Sequence, residues 1–170
     1  MKPRMKIMRA AVLISFIMLS SLFAQTTKPS DRWTPLAFLI GEWAGVGGGG
    51  PGQGSGGFSF LPDQNGTVLV RKNRADYAAS KERPAFSHTD LMIVYQEDAK
   101  FRAIYFDTED HVIHYDVEVG GESVRFLNKD YRLTYSKTGA DTVSIKFEIA
   151  DQAGNFKTYI EATARRLSTQ

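Results

Sequence analysis

The sequence predicts an all-β protein, an antiparallel up-and-down β-barrel of about ten strands preceded by a short N-terminal helix. Three observations predict it. From Glu42 onward, runs rich in β-branched and aromatic residues recur about every 8 to 12 residues with turn residues between them. No window in that stretch sustains the 3.6-residue period of an amphipathic helix, and no longer self-similarity suggests a propeller or solenoid. The connections are short, which forces antiparallel neighbours, and a closed barrel removes the exposed edges that a sandwich of the same strands would leave.

The elements follow in order. Thr34 can cap a helix, Pro35 suits its first position, and Gly41 can adopt the left-handed conformation that ends it, so Thr34 to Gly41 reads as the helix. Strands are expected at 42–46, 58–61, 67–77, 88–95, 101–107, 111–119, 122–128, 131–136, 142–149 and 155–166. Turn chemistry separates them: Asp63-Gln64-Asn65-Gly66, Glu97-Asp98-Ala99-Lys100, Gly120-Gly121, Thr138-Gly139-Ala140-Asp141 and Asp151-Gln152-Ala153-Gly154. Alternation is cleanest in 142–149, where Val143, Ile145, Phe147 and Ile149 share one face and Thr142, Ser144, Lys146 and Glu148 the other. Other strands mix the two kinds of residue. In 67–77, Val68 and Val70 share a parity with Lys72, Arg74 and Asp76.

The ends of the chain set its compartment and charge. Lys2, Arg4, Lys6 and Arg9 precede an apolar run from Ala10 to Phe23, and Leu22-Phe23-Ala24 offers a small residue for cleavage. This is the pattern of a signal peptide over residues 1–24, with an apolar run shorter than the ~20 residues of a membrane span. Residues 25–33 then read as a linker and 34–170 as the barrel domain, secreted or periplasmic, with no stable span once the leader is removed. Without the four basic residues of the leader, 17 basic side chains face 19 acidic ones, so the net charge turns from +2 to −2 and nucleic acid has no electrostatic attraction. The chain has no cysteine, which excludes disulfides, cysteine-ligated metal and a thiol nucleophile.

The stretch Leu36-Ala37-Phe38-Leu39-Ile40-Gly41-Glu42-Trp43 resembles the entry of the calycin superfamily, the lipocalins, fatty-acid-binding proteins and their relatives. Among these, the exported family of unassigned function DUF1579 looks closest, on the Phe38-Leu39-Ile40-Gly41-Glu42-Trp43 opening. The resemblance implies that Gly41 and Trp43 begin the barrel, that Trp43 plugs its closed end, and that a basic residue of the last strand packs across the indole. Arg166 is chosen over Arg165 because it shares a parity with Phe156, Ile160, Ala162 and Ala164. A weaker resemblance, carried by Trp43-Ala44-Gly45-Val46 and the following glycines and Pro51, is to nitrobindin-like haem-binding barrels. Their axial histidine has no counterpart in Tyr159-Ile160-Glu161-Ala162-Thr163-Ala164-Arg165-Arg166, where Tyr159 would be the substitute iron ligand. Haem is therefore the alternative, and no cofactor is expected.

Other chemistry finds little support. Gly45-Val46-Gly47-Gly48-Gly49-Gly50 matches a dinucleotide fingerprint in letters, but Pro51 and more glycines follow where a helix must start, so the stretch reads as a flexible loop between two strands. His111 and His114 fall on opposite faces of a strand. His88 with Asp90, and His114 with Asp116, share faces, yet histidines near strand ends are ordinarily solvated and no metal is assigned. Asp107, Glu109 and Asp110 cluster in a turn where water should leave them ordinary acids. No nucleophile with its base is visible, so no enzyme is expected. The expected function is binding of a small, largely apolar ligand inside the barrel, with Tyr105, His114, Arg125, Tyr131 and Tyr159 on the walls and Arg125 available to a carboxylate. A barrel filled by its own side chains, acting as an envelope-associated interaction module, is the other alternative.

Overall fold

The computed structural model describes residues 31–46, 55–81 and 84–168. The expected signal peptide, most of the linker and loop residues 47–54 lie outside them. The chain forms β1 (Gly41–Val46), β2 (Ser55–Asp63), β3 (Val68–Tyr77), β4 (Phe86–Glu97) and β5 (Lys100–Asp107), then β6 (Val112–Gly120), β7 (Ser123–Leu127), β8 (Tyr131–Gly139), β9 (Thr142–Ala150) and β10 (Phe156–Arg166). Each strand pairs antiparallel with the next, and β1 pairs with β10, so the ten strands close into a barrel. Among the described residues no helix is long and apolar enough to cross a membrane.

A 3-10 helix over Asp31–Leu39 precedes β1. It starts earlier than the capping pattern predicts, because Asp31, Arg32 and Trp33, read as the end of the linker, belong to it. Trp33 explains the difference. Its indole is fully buried, stacks on Phe101 with ring centroids 5.7 Å apart, and donates from Nε1 to the Gly66 carbonyl at 2.8 Å. With Leu36 and Leu39, also fully buried, it presses the helix across one end of the barrel. β2 likewise starts at Ser55 rather than 58, since Gly56 and Gly57 sit in the ladders. A Cβ on Gly57 would meet the Trp43 carbonyl oxygen at 2.1 Å, so only glycine lets β1 and β2 approach there.

Period-2 alternation carries the core into the barrel. Trp43, Phe58, Phe60, Leu69, Met92, Val94, Ala103, Tyr115, Val124, Phe126, Leu133, Tyr135, Val143 and Ala164 form one buried cluster with the helix residues. Phe60 contacts both Phe126 and Tyr135, with ring centroids 6.3 and 5.5 Å away, so side chains from strands across the barrel meet in its middle. The turns after β2, β4, β6 and β8 share the helix end, and the connections after β3, β5, β7 and β9 gather at the far end.

Candidate functional site

Between the aromatic core and the far end, the inward row changes from apolar to polar. On β3 the row runs Leu69, Arg71, Asn73. On β4 it runs Val94, Met92, Asp90, His88, and on β5 Ala103, Tyr105, Asp107. Antiparallel register sets Arg71 opposite Met92, Asn73 opposite Asp90, and Asp90 opposite Asp107. Arg71 and Asp90 are buried within the barrel wall and form a direct ion pair. The Asp90 carboxylate also accepts from Asn73 Nδ2 at 2.8 Å and lies 3.3 Å from His88 Nε2.

The network continues outward from His88. Its Nε2 is 3.2 Å from the Tyr105 hydroxyl, which in turn donates to Asp107 Oδ2 at 3.3 Å. Its Nδ1 is 3.1 Å from Glu109 Oε1, while His111 Nδ1 is 2.9 Å from Asp107 Oδ2. Asp107 is not an ordinary turn acid as the sequence predicts. Its side chain is only 5% exposed, and its Oδ1 accepts from the backbone amides of Glu109 and His111 at 2.8 and 3.0 Å. Burial works against its charge, but those amides and His111 outweigh it and hold the carboxyl below its usual range.

Electrostatics fix the donors. Burial alone would depress Arg71, and Asp90 together with Tyr135 and Tyr105 more than reverses that, so the guanidinium stays charged. Asp90 is pushed up by burial and pulled down further by Arg71 and its hydrogen bonds, so it stays ionised. The hydrogen bond to Asp90, assisted by Glu109, raises His88 to about 9. Burial pushes the Tyr135 hydroxyl up to about 12 and the hydroxyls of Tyr105 and Tyr115 higher still, so all three are phenols that can donate. Among the described residues neither Arg71 Nε nor the Tyr135 hydroxyl makes a hydrogen bond of normal geometry, although the Arg71 guanidinium interacts with that hydroxyl, and the guanidinium carbon lies 6.0 Å from the Tyr135 ring centroid.

Of the expected ligand-binding residues, Tyr105 lies in this network. Tyr131 stacks on Phe147 with centroids 6.0 Å apart, and Tyr159 meets Phe147 edge-on with centroids 6.2 Å apart. Tyr159 falls where the β10 register shifts between Thr158 and Ile160, and it is 68% exposed. His114 and Arg125 are on the outer wall. Ile113, Tyr115 and Val117 take the inward parity of β6, and Val124 and Phe126 that of β7, so alternation turns His114 and Arg125 outward. Arg125 faces Glu118 there at 3.5 Å. The inward arginine is Arg71, which the sequence reading passed over with Asn73 and Tyr135. The available signal was a charged residue sharing a parity with Leu69 on β3, matched by Asp90 sharing a parity with Met92 and Val94 on β4.

The opposite end carries the other expected set. Trp43 is 2% exposed, Arg166 lies directly across from it in the β1–β10 ladder, and the guanidinium carbon stands 4.3 Å over the indole. Gly41 has φ +131°, and a Cβ on it would meet Arg166 Nη1 at 2.7 Å. The ten-strand antiparallel barrel is compatible with a calycin or lipocalin-like barrel. Comparison with known proteins finds neither a family model nor a curated protein that matches this chain.

Proposed function

We propose that this chain is an exported, calycin-like barrel of the DUF1579 type that binds a small, largely apolar ligand carrying an oxygen acceptor. One observation supports the reading: among the described residues two buried donors inside the barrel, Arg71 Nε and the Tyr135 hydroxyl, have no hydrogen bond of normal geometry to a protein acceptor. A buried donor left unpaired costs about 1–3 kcal/mol, more when charged, so such groups ordinarily mark a partner that supplies the missing bond. A carboxylate or carbonyl oxygen would do so. The surrounding Phe58, Phe60, Tyr115 and Phe126 would take the apolar body, and the far end of the barrel is the entry. The role expected of Arg125 passes to Arg71.

An environment-sensitive fluorescent fatty acid tests this. It should bind saturably with Kd of about 1 µM, or about −8 kcal/mol, and be displaced by the unlabelled acid. Native mass spectrometry on protein purified without refolding should carry a bound small molecule. Haemin should give no stoichiometric Soret band, since Tyr159 stands exposed in a bulge away from the orphan donors. A barrel filled by its own side chains would bind neither probe, and the interaction-module reading would replace ligand binding.

A further inference from the structure

The cluster at the far end of β4 and β5 carries a second site, joined to Arg71 through Asp90. One ligand atom from each of His88, Asp107 and Glu109 lies within 4.8 Å of the other two. His111 Nδ1 is 2.9 Å from the same Asp107 oxygen that faces Tyr105 and so helps to hold that carboxylate in place. Imidazole nitrogen and carboxylate oxygen are the donors that divalent first-row metals take, at about 2.0–2.2 Å for zinc, so donors around one ion stand roughly 3.3 Å apart. His88 Nδ1 and Glu109 Oε1 are already 3.1 Å apart. Glu109, with a side chain 55% exposed, is free to move the remaining distance.

What separates this group from solvated turn charges is how its donors are held. His88 Nε2, the nitrogen facing away from Glu109, lies 3.3 Å from the Asp90 carboxylate, which is itself fixed by Arg71 and Asn73. A carboxylate on the far nitrogen keeps hydrogen on Nε2, so an ion that displaces the Nδ1 proton meets a lone pair already oriented toward the cluster, as in the carboxylate–histidine–zinc arrangement. Asp107 is held in the same manner, with Oδ1 taken by two backbone amides and Oδ2 accepting from the Tyr105 hydroxyl beside His111 Nδ1. The turn is pinned by Thr108 N donating to the Thr89 carbonyl at 3.2 Å, so the donors come from backbone fixed to both strands.

We propose that His88, Asp107 and Glu109 bind one divalent transition-metal ion of the zinc class at the far end of the barrel. The purified protein, stripped with a chelator, is titrated with Zn²⁺ against a chromophoric competitor, and with Co²⁺ to read coordination from its visible bands. Binding of one ion per chain with Kd at or below about 1 µM is expected. Glu109→Gln and His88→Gln should each weaken it at least about tenfold, whereas His114→Gln on the outer wall should not change it. Because Glu109 is exposed, its variant tests the site without threatening the fold. Absence of saturable binding would show His88 to be only an ion-pair bridge between Asp90 and Glu109. Wild-type affinity in Glu109→Gln would place the ion elsewhere, and either result overturns the assignment. Glu109→Gln should leave the fatty-acid titration unchanged, so failure here is distinguishable from failure of ligand binding.

Discussion

Arg166 stands over Trp43 with its guanidinium carbon 4.3 Å from the indole centroid, and the two residues are direct partners in the ladder that closes the barrel. Between them they satisfy the end of the 3-10 helix. Arg166 donates to the carbonyls of Ile40 and Phe38, the latter at 2.8 Å, and Trp43 Nε1 donates to Leu39 at 2.8 Å. Three carbonyls that a helix terminus leaves without partners are thereby paired. Trp43→Ala should cost about 3–5 kcal/mol, the range for emptying a buried aromatic site. Denaturant midpoints test it, and a loss under about 1 kcal/mol would show that the indole is not holding that end closed.

Gly41→Ala should also destabilise, by about 1–3 kcal/mol, although alanine adds one methyl group. The strain has two sources. At φ +131° a side chain is disfavoured, and its Cβ would displace Arg166 Nη1 from 2.7 Å. A double-mutant cycle with Arg166→Met separates them. Coupling of the two changes is expected, and strict additivity would mean that backbone conformation alone is responsible.

The sequence made the ten strands legible because their turns are chemically distinct and their spacing is regular. Every expected strand overlaps an observed one, from 42–46 on β1 to 155–166 on β10. What alternation could not show was the contents of the barrel where the parity is mixed. β3 has apolar residues on both faces, Val68 and Val70 on one and Leu69 on the other, so nothing local says that Arg71 turns inward. Only the pairing with β4, which brings Asp90 beside it, makes that placement affordable, and pairing is a non-local fact. Trp33 was missed for a similar reason. A single tryptophan before a helix has no periodic partner, and its acceptor is the Gly66 carbonyl 33 residues away. At Tyr159 a register shift breaks the parity count without a signal in composition.

Acid should weaken the fold in part through Glu148. Its carboxylate accepts from Arg132 Nη2 at 2.9 Å across the β8–β9 ladder and lies 3.0 Å from Lys146 Nζ, and the hydrogen bond from Arg132 above all lowers it from 4.5 to about 2. A carboxyl held below its unfolded value stabilises the native state fully above that value and loses the contribution as pH falls through the native one. The loss therefore falls between about pH 5 and pH 2. Glu148→Gln should be less stable than wild type at pH 7 and show a shallower decline across that window. Equal slopes for the two proteins would show that Glu148 contributes nothing to acid unfolding.

Tyr135→Phe separates stability from binding. Among the described residues the buried Tyr135 hydroxyl has no hydrogen bond of normal geometry, so removing it deletes a desolvation cost and leaves the ring contacts with Phe58, Phe60 and Phe126 in place. The variant should melt at or above the wild-type temperature. Most substitutions of fully buried residues destabilise, so this outcome is specific to an orphaned group. The same change removes one of the two donors proposed to meet the ligand's oxygen, and a neutral hydrogen bond contributes about 0.5–1.5 kcal/mol. Affinity for the fluorescent fatty acid should therefore fall roughly two- to tenfold while the protein is unharmed. Arg71→Met is the harsher partner experiment, because it also strands the buried Asp90 carboxylate and should cost about 3–5 kcal/mol of stability. If Tyr135→Phe instead lowers stability by more than about 1 kcal/mol, the hydroxyl is paired in solution. If it leaves probe affinity unchanged, the acceptor of the ligand is held elsewhere in the barrel.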